Sequence, residues 1–421
     1  MLAIGRAGNT RIPACFVRHL AEQFLRWQDA SACTMEACAP MRTIYFVAGE
    51  VSADNHGASL MRCLRELDPT LKFIGRGGPQ MQEIAGKQFK NWIGDAAVLG
   101  LWEVLRKYGY FREHFRQTTE EIVETQPDAV VLIDYPGFNL RLARALRRRS
   151  RRQKIIYYIS PQVWAWNRGR IKRMARWIDL VLCIFPFEAD LYNESGLRAL
   201  FVGHPMIERL QVREANVERD PNLIGLFPGS RLREVRKILP VSIATARLLL
   251  RFKPALRFEV AAASEELSQE IRAMLTPQTR PIFEITLGKT AEIMQRAWVG
   301  IVASGSATLE AAYFRMPFAL VYKVAWPTYL AARLVVNVNY LGMPNLLAGR
   351  DVVPEFIQHR AQPDAIASAV RPLIDDEKAR NQMISQFDVV IPKLGGSGAS
   401  EKAARAIIEE IGIRSSAVIT R

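Results

Sequence analysis

The chain has 421 residues, of which 49% are hydrophobic and 24% are charged. This length exceeds what one hydrophobic core usually organises, so we expect two domains, and the composition excludes an intrinsically disordered protein. The formal net charge of +15 predicts attraction to polyanions, which are nucleic acid, an anionic membrane face or phosphorylated substrates. No run of about 18 apolar residues is present, so a membrane-spanning helix is not expected.

The first forty residues precede the first predicted strand and contain three of the five cysteines. They lack the apolar centre and cleavage site of a secretory signal. Two interpretations of residues 1–40 stay open, a disordered tail or a start codon assigned upstream of a true start at Met41. The cysteines show no metal-ligand spacing and are too few for a disulfide framework, which fits a reducing cytoplasm.

From Met41 onward, short β-rich apolar runs alternate with amphipathic stretches, as is typical of βαβ units around a parallel sheet. We predict a first domain over residues 41–206, with helices over Asn55–Leu67 and Leu140–Arg148. Its predicted strands are Thr43–Val47, Lys72–Gly75, Ala129–Ile133, Ile155–Ile159, Leu180–Ile184 and Leu200–Val202.

A polar stretch over Met206–Pro221 interrupts this pattern and is interpreted as the linker to a second domain over residues 207–394. The run Gly395–Gly398 then breaks the chain. Within the final segment, 395–421, Ala399–Ile411 is interpreted as a closing helix that can pack back on the first domain. The predicted strands of the second domain are Leu223–Phe227, Arg257–Ala262, Phe283–Thr286, Val299–Val302 and Phe318–Val321.

These elements predict an α/β fold of two Rossmann-like domains facing a shared cleft. Ligands of open parallel sheets bind outside the carboxyl ends of the strands. We therefore expect the second domain to hold a nucleotide. The loops after the strands of the first domain are expected to hold an acceptor and a catalytic base.

Three glycine-marked turns, at Gly203–Pro205, Leu226–Arg231 and Ser304–Glu310, are suited to a nucleotide diphosphate. Glycine lets the backbone approach a ligand, and the free N–H groups of a following helix stabilise phosphate oxygens. A carboxylate at Glu310 can accept bonds from both ribose hydroxyls. The alternative is that each turn is only a strand-to-helix corner. The nucleotide-binding candidates are Gly229, Ser230, Arg231, Ser304, Gly305, Ser306, Thr308 and Glu310.

Asp134 follows the apolar strand Ala129–Ile133 and precedes Tyr135–Asn139, so it stands at the carboxyl end of a strand with a turn behind it. A carboxylate there can take the proton from an acceptor hydroxyl as that hydroxyl attacks an anomeric carbon. A turn or helix-cap aspartate is the alternative interpretation.

Further polar residues are predicted at the same edge of the cleft. The loop Gly49–Asp54 follows the first strand and leads into a helix, which Ser52 or Asp54 can cap. His56 and His204 are predicted on cleft-side loops and can orient a phosphate or assist proton transfer, although a lone histidine more often has a structural role. The acceptor-side candidates are Glu50, Ser52, Asp54, His56 and His204.

Arg231 and Arg233 follow the Pro-Gly-Ser turn of the second domain. An arginine fork can neutralise a leaving diphosphate without a metal, because bidentate bonds supply both charge and orientation. No Asp-x-Asp pair stands at a predicted strand end, and Asp375–Asp376 is interpreted as solvated surface. We therefore expect no metal and no cofactor.

The segment Val98–Arg112 mixes bulky apolar and aromatic residues with cations, as interfacial helices do. A core helix with a basic outer face is the alternative. The runs Arg147–Arg152 and Arg168–Arg176 extend the basic surface but lack interleaved aromatics for base stacking, so no nucleic-acid partner is expected. The membrane-contact candidates are Leu99, Leu101, Trp102, Leu105, Arg106 and Lys107.

From Met41 to its end, the chain resembles the lipid-A-disaccharide synthase family. The most specific matches are Ser-Pro-Gln-Val-Trp-Ala-Trp at Ser160–Trp166 and Pro-Asn-Leu-Leu-Ala-Gly-Arg at Pro344–Arg350. Residues 1–40 match nothing in the family. The supporting matches are Gly49–Asp54, Gly77–Met81, Val98–Leu105, Asp134–Asn139, Pro228–Arg231 and Ser304–Glu310.

The resemblance implies a GT-B fold and the transfer of 2,3-diacylglucosamine, with inversion, from UDP to the 6-hydroxyl of 2,3-diacylglucosamine 1-phosphate (lipid X). The products are a β-1,6 disaccharide 1-phosphate and UDP. It also implies that Asp134 is the essential carboxylate and that Arg231, Glu310 and Asn345 line the UDP side. Gly137 stands where many members carry a second Asp, which leaves Asp134 as the candidate base.

Because both implied substrates are membrane lipids, the resemblance further implies a cytoplasmic enzyme in peripheral contact with the inner face of the inner membrane. It leaves open whether the enzyme is a monomer or a homo-oligomer. Two other functions stay open on the residues alone. One is a UDP-sugar 2-epimerase or other soluble GT-B enzyme, and the other is a nucleic-acid binder, which net charge alone suggests.

Overall fold

Strands and helices alternate along the first half of the chain. The computed structural model describes residues 42–93, 108–165, 168–215, 217–326, 329 and 339–418. The strands are β1 (Thr43–Ala48), β2 (Lys72–Gly77), β3 (Lys90–Asn91), β4 (Ala129–Ile133), β5 (Lys154–Tyr158), β6 (Leu180–Cys183) and β7 (Ala199–Phe201). The helices are α1 (Val51–Leu67), α2 (Pro79–Ala85), α3 (Tyr108–Thr125), α4 (Pro136–Arg149), α5 (Ile171–Met174), α6 (Pro186–Glu194) and α7 (Met206–Gln211).

The same alternation continues in the second half. The strands are β8 (Asp220–Phe227), β9 (Arg257–Ala262), β10 (Phe283–Leu287), β11 (Ala297–Ala303), β12 (Phe318–Tyr322) and β13 (Glu355–Ile357). The helices are α8 (Leu232–Phe252), α9 (Glu265–Met274), α10 (Thr290–Arg296), α11 (Ala307–Tyr313), α12 (Met343–Ala348), α13 (Pro363–Asp375), α14 (Glu377–Val390) and α15 (Ala399–Val418).

Two parallel sheets organise these elements. Within the described residues, the first sheet has the order β3-β2-β1-β4-β5-β6-β7 and the second the order β10-β9-β8-β11-β12-β13. Strand β4 is apolar and buried along its whole length because helices cover both faces of a parallel sheet. The predicted α/β class with two Rossmann-like units is therefore confirmed.

The first sheet separates two apolar cores. Alternate residues of β4 point to opposite faces, so Val130 and Leu132 belong to one core while Val131 and Ile133 belong to the other. The second sheet has its own core.

The connection between the two sheets differs from the predicted polar linker. Helix α7 occupies its first six residues, and β8 begins at Asp220. Met206, Ile207 and Leu210 are buried with the core of the second sheet, so this part of the connection is packed. The short strands β3 and β13 were not predicted, because two or three residues are too few to show a period.

The last helix packs on the first sheet. Helix α15 contacts α1 and β5, and its Ala403 and Ile407 are buried in the core beside β1. Its buried Glu410 pairs with Lys154 and, at 2.5 Å, with Arg198. The chain therefore returns to its first half after completing the second.

Two of the sequence predictions fall outside the described residues. These are the extension over residues 1–40 and the six membrane-contact candidates, which are Leu99, Leu101, Trp102, Leu105, Arg106 and Lys107. In the ranges that the structure describes, no helix combines the length and the apolar character needed to cross a bilayer.

Candidate active site

The strand order of the first sheet reverses between β1 and β4, and the carboxyl ends of these strands lie side by side. Ala48 pairs with Ile133, so the loops that carry Glu50 and Asp134 start at neighbouring positions. Ligands of open parallel sheets bind at such a reversal. The predicted base thus lies where the topology favours a ligand.

The second sheet has the corresponding reversal between β8 and β11. Phe227 pairs with Val302, which brings the turn at Gly229 beside the turn at Gly305. The φ angles of these glycines are +113° and +146°, a region that side chains rarely adopt. Two of the predicted nucleotide turns are therefore adjacent, and each needs its glycine.

Asp134 occupies a strained corner at the end of β4. Its φ is +46° and that of Tyr135 is +49°, a left-handed conformation that is costly for residues other than glycine. Three hydrogen bonds hold the corner. The Asp134 amide donates to the Tyr158 carbonyl at 3.0 Å. The Asp134 carbonyl accepts from the Tyr157 hydroxyl at 2.5 Å and from Asn139 Nδ2 at 2.7 Å.

The environment of Asp134 changes its acidity. The pKa of its carboxyl group is raised to about 6, mainly by burial and also by the negative charge of Glu50, while a hydrogen bond from the Tyr135 amide opposes the rise. Gly49 allows this packing, because a Cβ atom there would lie 2.3 Å from Cδ1 of Tyr135. A carboxyl group with this pKa can both take up and release a proton near neutral pH.

The start of α1 corrects two sequence interpretations. The helix begins at Val51 and has no side-chain cap, so neither Ser52 nor Asp54 caps it. Asp54 is buried, and its two oxygens accept three backbone bonds of 3.0 Å each from the turn that opens α2, which leaves it closed to substrate. Glu50 and Ser52 are exposed at the cleft edge. The three donors to Asp54 are the amides of Gly78, Gln80 and Met81.

Two neutral histidines lie close to Arg209 of α7. His56 belongs to α1, which agrees with the predicted helix Asn55–Leu67 and corrects its assignment to a loop, whereas His204 lies on the loop after β7. The pKa of His56 is lowered to about 4 and that of His204 to about 3, mainly by burial, and the charge of Arg209 acts in the same direction. His204 Nδ1 accepts from the Met206 amide at 3.2 Å, so its proton lies on Nε2. At neutral pH both rings offer hydrogen bonds without charge.

An ion pair joins helix α7 to helix α11. Arg209 Nη2 lies 2.5 Å from Glu310 Oε1, and the Arg209 side chain is half exposed while that of Glu310 is largely covered. Glu310 is one turn inside α11, as its spacing from Ser304–Ser306 predicted. The second carboxylate oxygen accepts no hydrogen bond from the described residues, so it can receive a ligand hydroxyl.

The other nucleotide candidates divide into exposed and buried groups. Ser230 and Arg231 are exposed at the start of α8, where Arg231 pairs with Glu234 at 3.1 Å. Ser304 and Ser306 remain accessible beside the Gly305 turn. Thr308 is fully buried, and its hydroxyl donates to the Gly305 carbonyl at 2.8 Å, so it supports the turn and does not face a ligand.

Asn345 is also fully buried. Its amide nitrogen donates to the Val353 carbonyl and to Glu355, and its oxygen accepts from the amides of Val352 and Val353, all between 2.8 and 2.9 Å. Every polar atom of this side chain is used inside the protein. The resemblance implied a direct contact between Asn345 and the nucleotide. In the structure, Asn345 instead fixes the loop at Val352 and Val353.

Across the ranges that the structure describes, no three His, Cys, Asp or Glu side chains are grouped so that they could hold a metal ion.

Glu188 was missed by sequence analysis. It is fully buried in the first turn of α6. Its carboxylate accepts from the Ser160 hydroxyl at 2.6 Å and from Trp164 Nε1 at 2.8 Å. Burial raises its pKa to about 7, against the effect of these bonds. One carboxyl group thus fixes the loop that follows β5 beside the candidate base.

We expect Glu188→Ala to lower the free energy of unfolding by about 2–4 kcal/mol, because it leaves two buried donors without an acceptor. Urea unfolding measures this loss. Glu194→Ala, on the exposed side of the same helix, is the matched control and should change little. Equal losses in the two variants would contradict the role given to Glu188.

The stability of the protein should also depend on the ionisation of Glu188. Because its pKa is raised from 4.5 to about 7 by folding, its contribution is fully present below pH 4.5 and is lost as the pH rises through 7. In Glu188→Gln, the free energy of unfolding should therefore vary less between these pH values than in the wild type.

Comparison with known proteins adds to this geometry. A family model described as lipid-A-disaccharide synthetase matches residues 44–407. The lipid-A-disaccharide synthase of Geobacter sulfurreducens is 38% identical over 377 residues, which cover 88% of this chain and 97% of that protein.

Two solved structures share the fold. The S. aureus MnaA–UDP co-structure has a TM-score of 0.56 and 15% identity, and it covers 86% of this chain and 94% of its own. For the calicheamicin glycosyltransferase CalG4 the TM-score is 0.53 and the identity 13%, with coverage of 89% and 99%. These likenesses support the two-domain GT-B architecture.

Proposed function

The chain belongs to the lipid-A-disaccharide synthetase family, and from this premise we propose which substrates it joins and how. As a glycosyltransferase of lipid A biosynthesis, it transfers 2,3-diacylglucosamine from UDP to the 6-hydroxyl of 2,3-diacylglucosamine 1-phosphate. The products are a β-1,6 disaccharide 1-phosphate and UDP.

In the proposed reaction, Asp134 is the general base. Its carboxylate takes the proton of the acceptor 6-hydroxyl while the hydroxyl oxygen attacks the anomeric carbon from the face opposite UDP. The new C–O bond forms as the bond to the β-phosphate oxygen breaks, and its electron pair leaves with UDP. The configuration at the anomeric carbon is therefore inverted, and the proton remains on Asp134 until solvent removes it.

The position of Asp134 carries this proposal. It combines a strained corner at a strand reversal with a pKa of about 6, and a base is most effective when its pKa lies near the working pH. Burial keeps the group basic enough to accept a proton, and it is still ionised at pH 7.

The second sheet is proposed to hold UDP. The start of α8 and the exposed Arg231 offer N–H groups and a guanidinium to the diphosphate, whose charge grows as the sugar leaves. Glu310 is placed to receive the ribose hydroxyls through its unoccupied oxygen. The neutral His204, with its proton on Nε2, can donate to a phosphate or sugar oxygen.

Both proposed substrates carry acyl chains, so the enzyme must take them from a lipid surface. We therefore propose peripheral contact with the cytoplasmic face of the inner membrane through the segment Val98–Arg112, whose apolar and basic composition suits a headgroup boundary.

The direct test is UDP release by the purified protein from UDP-2,3-diacylglucosamine in detergent micelles. We expect release to depend on 2,3-diacylglucosamine 1-phosphate, to need no added metal, and to yield a disaccharide phosphate in equal amount.

Three outcomes would contradict the proposal. Release without acceptor would indicate a hydrolase, a 2-epimer of the donor sugar would indicate an epimerase, and no reaction with either substrate would mean that the cleft serves another sugar.

A further inference from the structure

The positive charge of the chain is concentrated in one segment. Residues 136–178 contain thirteen Lys and Arg residues and no Asp or Glu, so this tenth of the chain carries most of its net charge of +15. The segment begins at α4, continues through β5 and ends just before β6. A charge distribution this uneven favours contact with an anionic surface or ligand.

Helix α4 and the turn after α5 form a groove of about 630 Å³ on the outside of the first sheet. We call it the arginine groove. Of the described residues that line the groove, only Asp179 is acidic. The groove is lined by Arg144, Arg147, Arg148, Arg151, Arg176 and Trp177, with Ala175, Ile178 and Asp179 at its edges.

Arg147 is bonded to other residues of the groove and is therefore not available to a ligand. Arg147 Nη2 lies 2.6 Å from Asp179 Oδ2, and Nε and Nη2 donate to the Trp177 carbonyl at 3.2 and 3.1 Å. Asp179 Oδ2 also accepts from the Ile155 amide at 2.8 Å. The one acid that lines the groove is thus already paired with an arginine.

The remaining cations face solvent without an acidic partner among the described residues. Arg148, Arg151 and Arg176 are exposed, and Arg144 lies over the Trp177 ring at 5.7 Å. Guanidinium groups that converge in this way suit phosphate oxygens, which they bind with two parallel hydrogen bonds.

The arginine groove is separate from the candidate active site. Helix α4 starts at Pro136, two residues after Asp134, and runs away from the cleft for 14 residues. At 1.5 Å per residue its far end lies roughly 20 Å from the base. The groove is at that end, beside the amino ends of β5 and β6.

We propose that the arginine groove binds the phosphate groups of anionic phospholipids in the bilayer surface. The proposal rests on the proposed function, because an enzyme that takes both substrates from a membrane must stay at that surface. Nucleic acid is less suited to the groove, because Trp177, the one aromatic residue that lines it, is half buried and has Arg144 over its ring, and base stacking needs exposed aromatic faces.

The test compares two triple variants that remove the same charge. The first is Arg148→Ala, Arg151→Ala and Arg176→Ala in the groove. The control is Arg247→Ala, Arg251→Ala and Arg272→Ala, which are exposed on helices of the second half of the chain. Flotation with phosphatidylcholine vesicles, with and without phosphatidylglycerol, measures binding by the full chain.

We expect the groove variant to lose about 10²-fold in partitioning onto phosphatidylglycerol vesicles at low salt, and the control to lose far less. Neither variant should bind pure phosphatidylcholine differently from the wild type. Turnover in detergent micelles should be unchanged in both, so a failure of the proposed reaction would appear there and not in flotation.

Three results would overturn the proposal. The first is an equal loss of vesicle binding in the two triple variants. In the second, millimolar inorganic phosphate or glycerol phosphate displaces the protein from vesicles at constant ionic strength, which would make the groove a site for a soluble anion. In the third, the groove variant loses affinity for a homopolymer RNA while its vesicle binding is intact.

Discussion

Replacing Asp134 by Asn is expected to lower kcat by about 10²- to 10⁴-fold, with KM for both substrates changed only a few-fold. The amide keeps the shape of the side chain and its hydrogen bond from the Tyr135 amide, but it cannot take the proton of the attacking hydroxyl. Initial rates of UDP release, with each substrate varied in turn, measure this effect. Near-normal turnover in the variant would remove Asp134 from the role of base.

The same group should control the pH profile. Because its pKa is about 6, the wild-type rate should fall as the pH drops below 6 and the base becomes protonated. Glu50→Gln provides the control, since the charge of Glu50 helps to raise that pKa. In this variant the fall in rate on the acid side of the pH profile should occur at lower pH than in the wild type. An unchanged profile would contradict the role of Asp134 as the group that controls it.

Stability should change in the opposite sense to activity. Folding raises the pKa of Asp134 from 3.8 to about 6, so its favourable contribution is present below pH 3.8 and is lost as the pH rises through 6. At pH 7 the ionised group destabilises the fold, and Asp134→Asn should unfold at a higher temperature than the wild type. A lower Tm would show that the variant fails for structural reasons.

Replacing Glu310 by Gln is expected to weaken UDP binding by roughly 10- to 100-fold, because hydrogen bonds to a charged acceptor contribute about 1.5–3 kcal/mol each. Glutamine retains one acceptor oxygen but not the charge that both ribose hydroxyls would share. Calorimetric titration with UDP measures the affinity directly, and KM for the UDP-sugar should rise in parallel.

Arg209→Ala is the control for this second result. It breaks the same ion pair from the other side, and a half-exposed pair contributes little to stability. Since Arg209 occupies one Glu310 oxygen in the structure, its removal should leave UDP affinity unchanged or higher. A loss equal to that of Glu310→Gln would mean that the ion pair, and not ribose recognition, explains the effect.

The sequence predicts well those features that a short local pattern specifies. Ala129–Ile133 is apolar throughout and is followed by Asp134 and, after one residue, by a proline-glycine pair, and the structure gives this strand the predicted bounds. The positive-φ glycines at Gly229 and Gly305 were likewise visible as turns before helices. In each case the residues that decide the conformation are neighbours in the chain.

Features that depend on distant partners were not accessible in this way. Glu188 lies in the first turn of a helix, where an acidic residue is common because it interacts favourably with the helix dipole. Its two hydrogen-bond donors lie 24 and 28 residues earlier in the chain. Asp54 likewise suggested a cap on its own helix, yet it holds the next one. The sequence supplied the residue types but not the pairings.

The first half of the molecule is synthesised first, but its core is completed only by the last helix of the chain. Its core beside β1 includes Ala403 and Ile407 of α15, which are translated roughly 200 residues after β7 ends. At about 5–20 residues per second, the ribosome needs roughly 10–40 seconds to supply them. During that time the side of α1 that packs on α15 stays uncovered in the nascent protein, so the half that is made first is completed last.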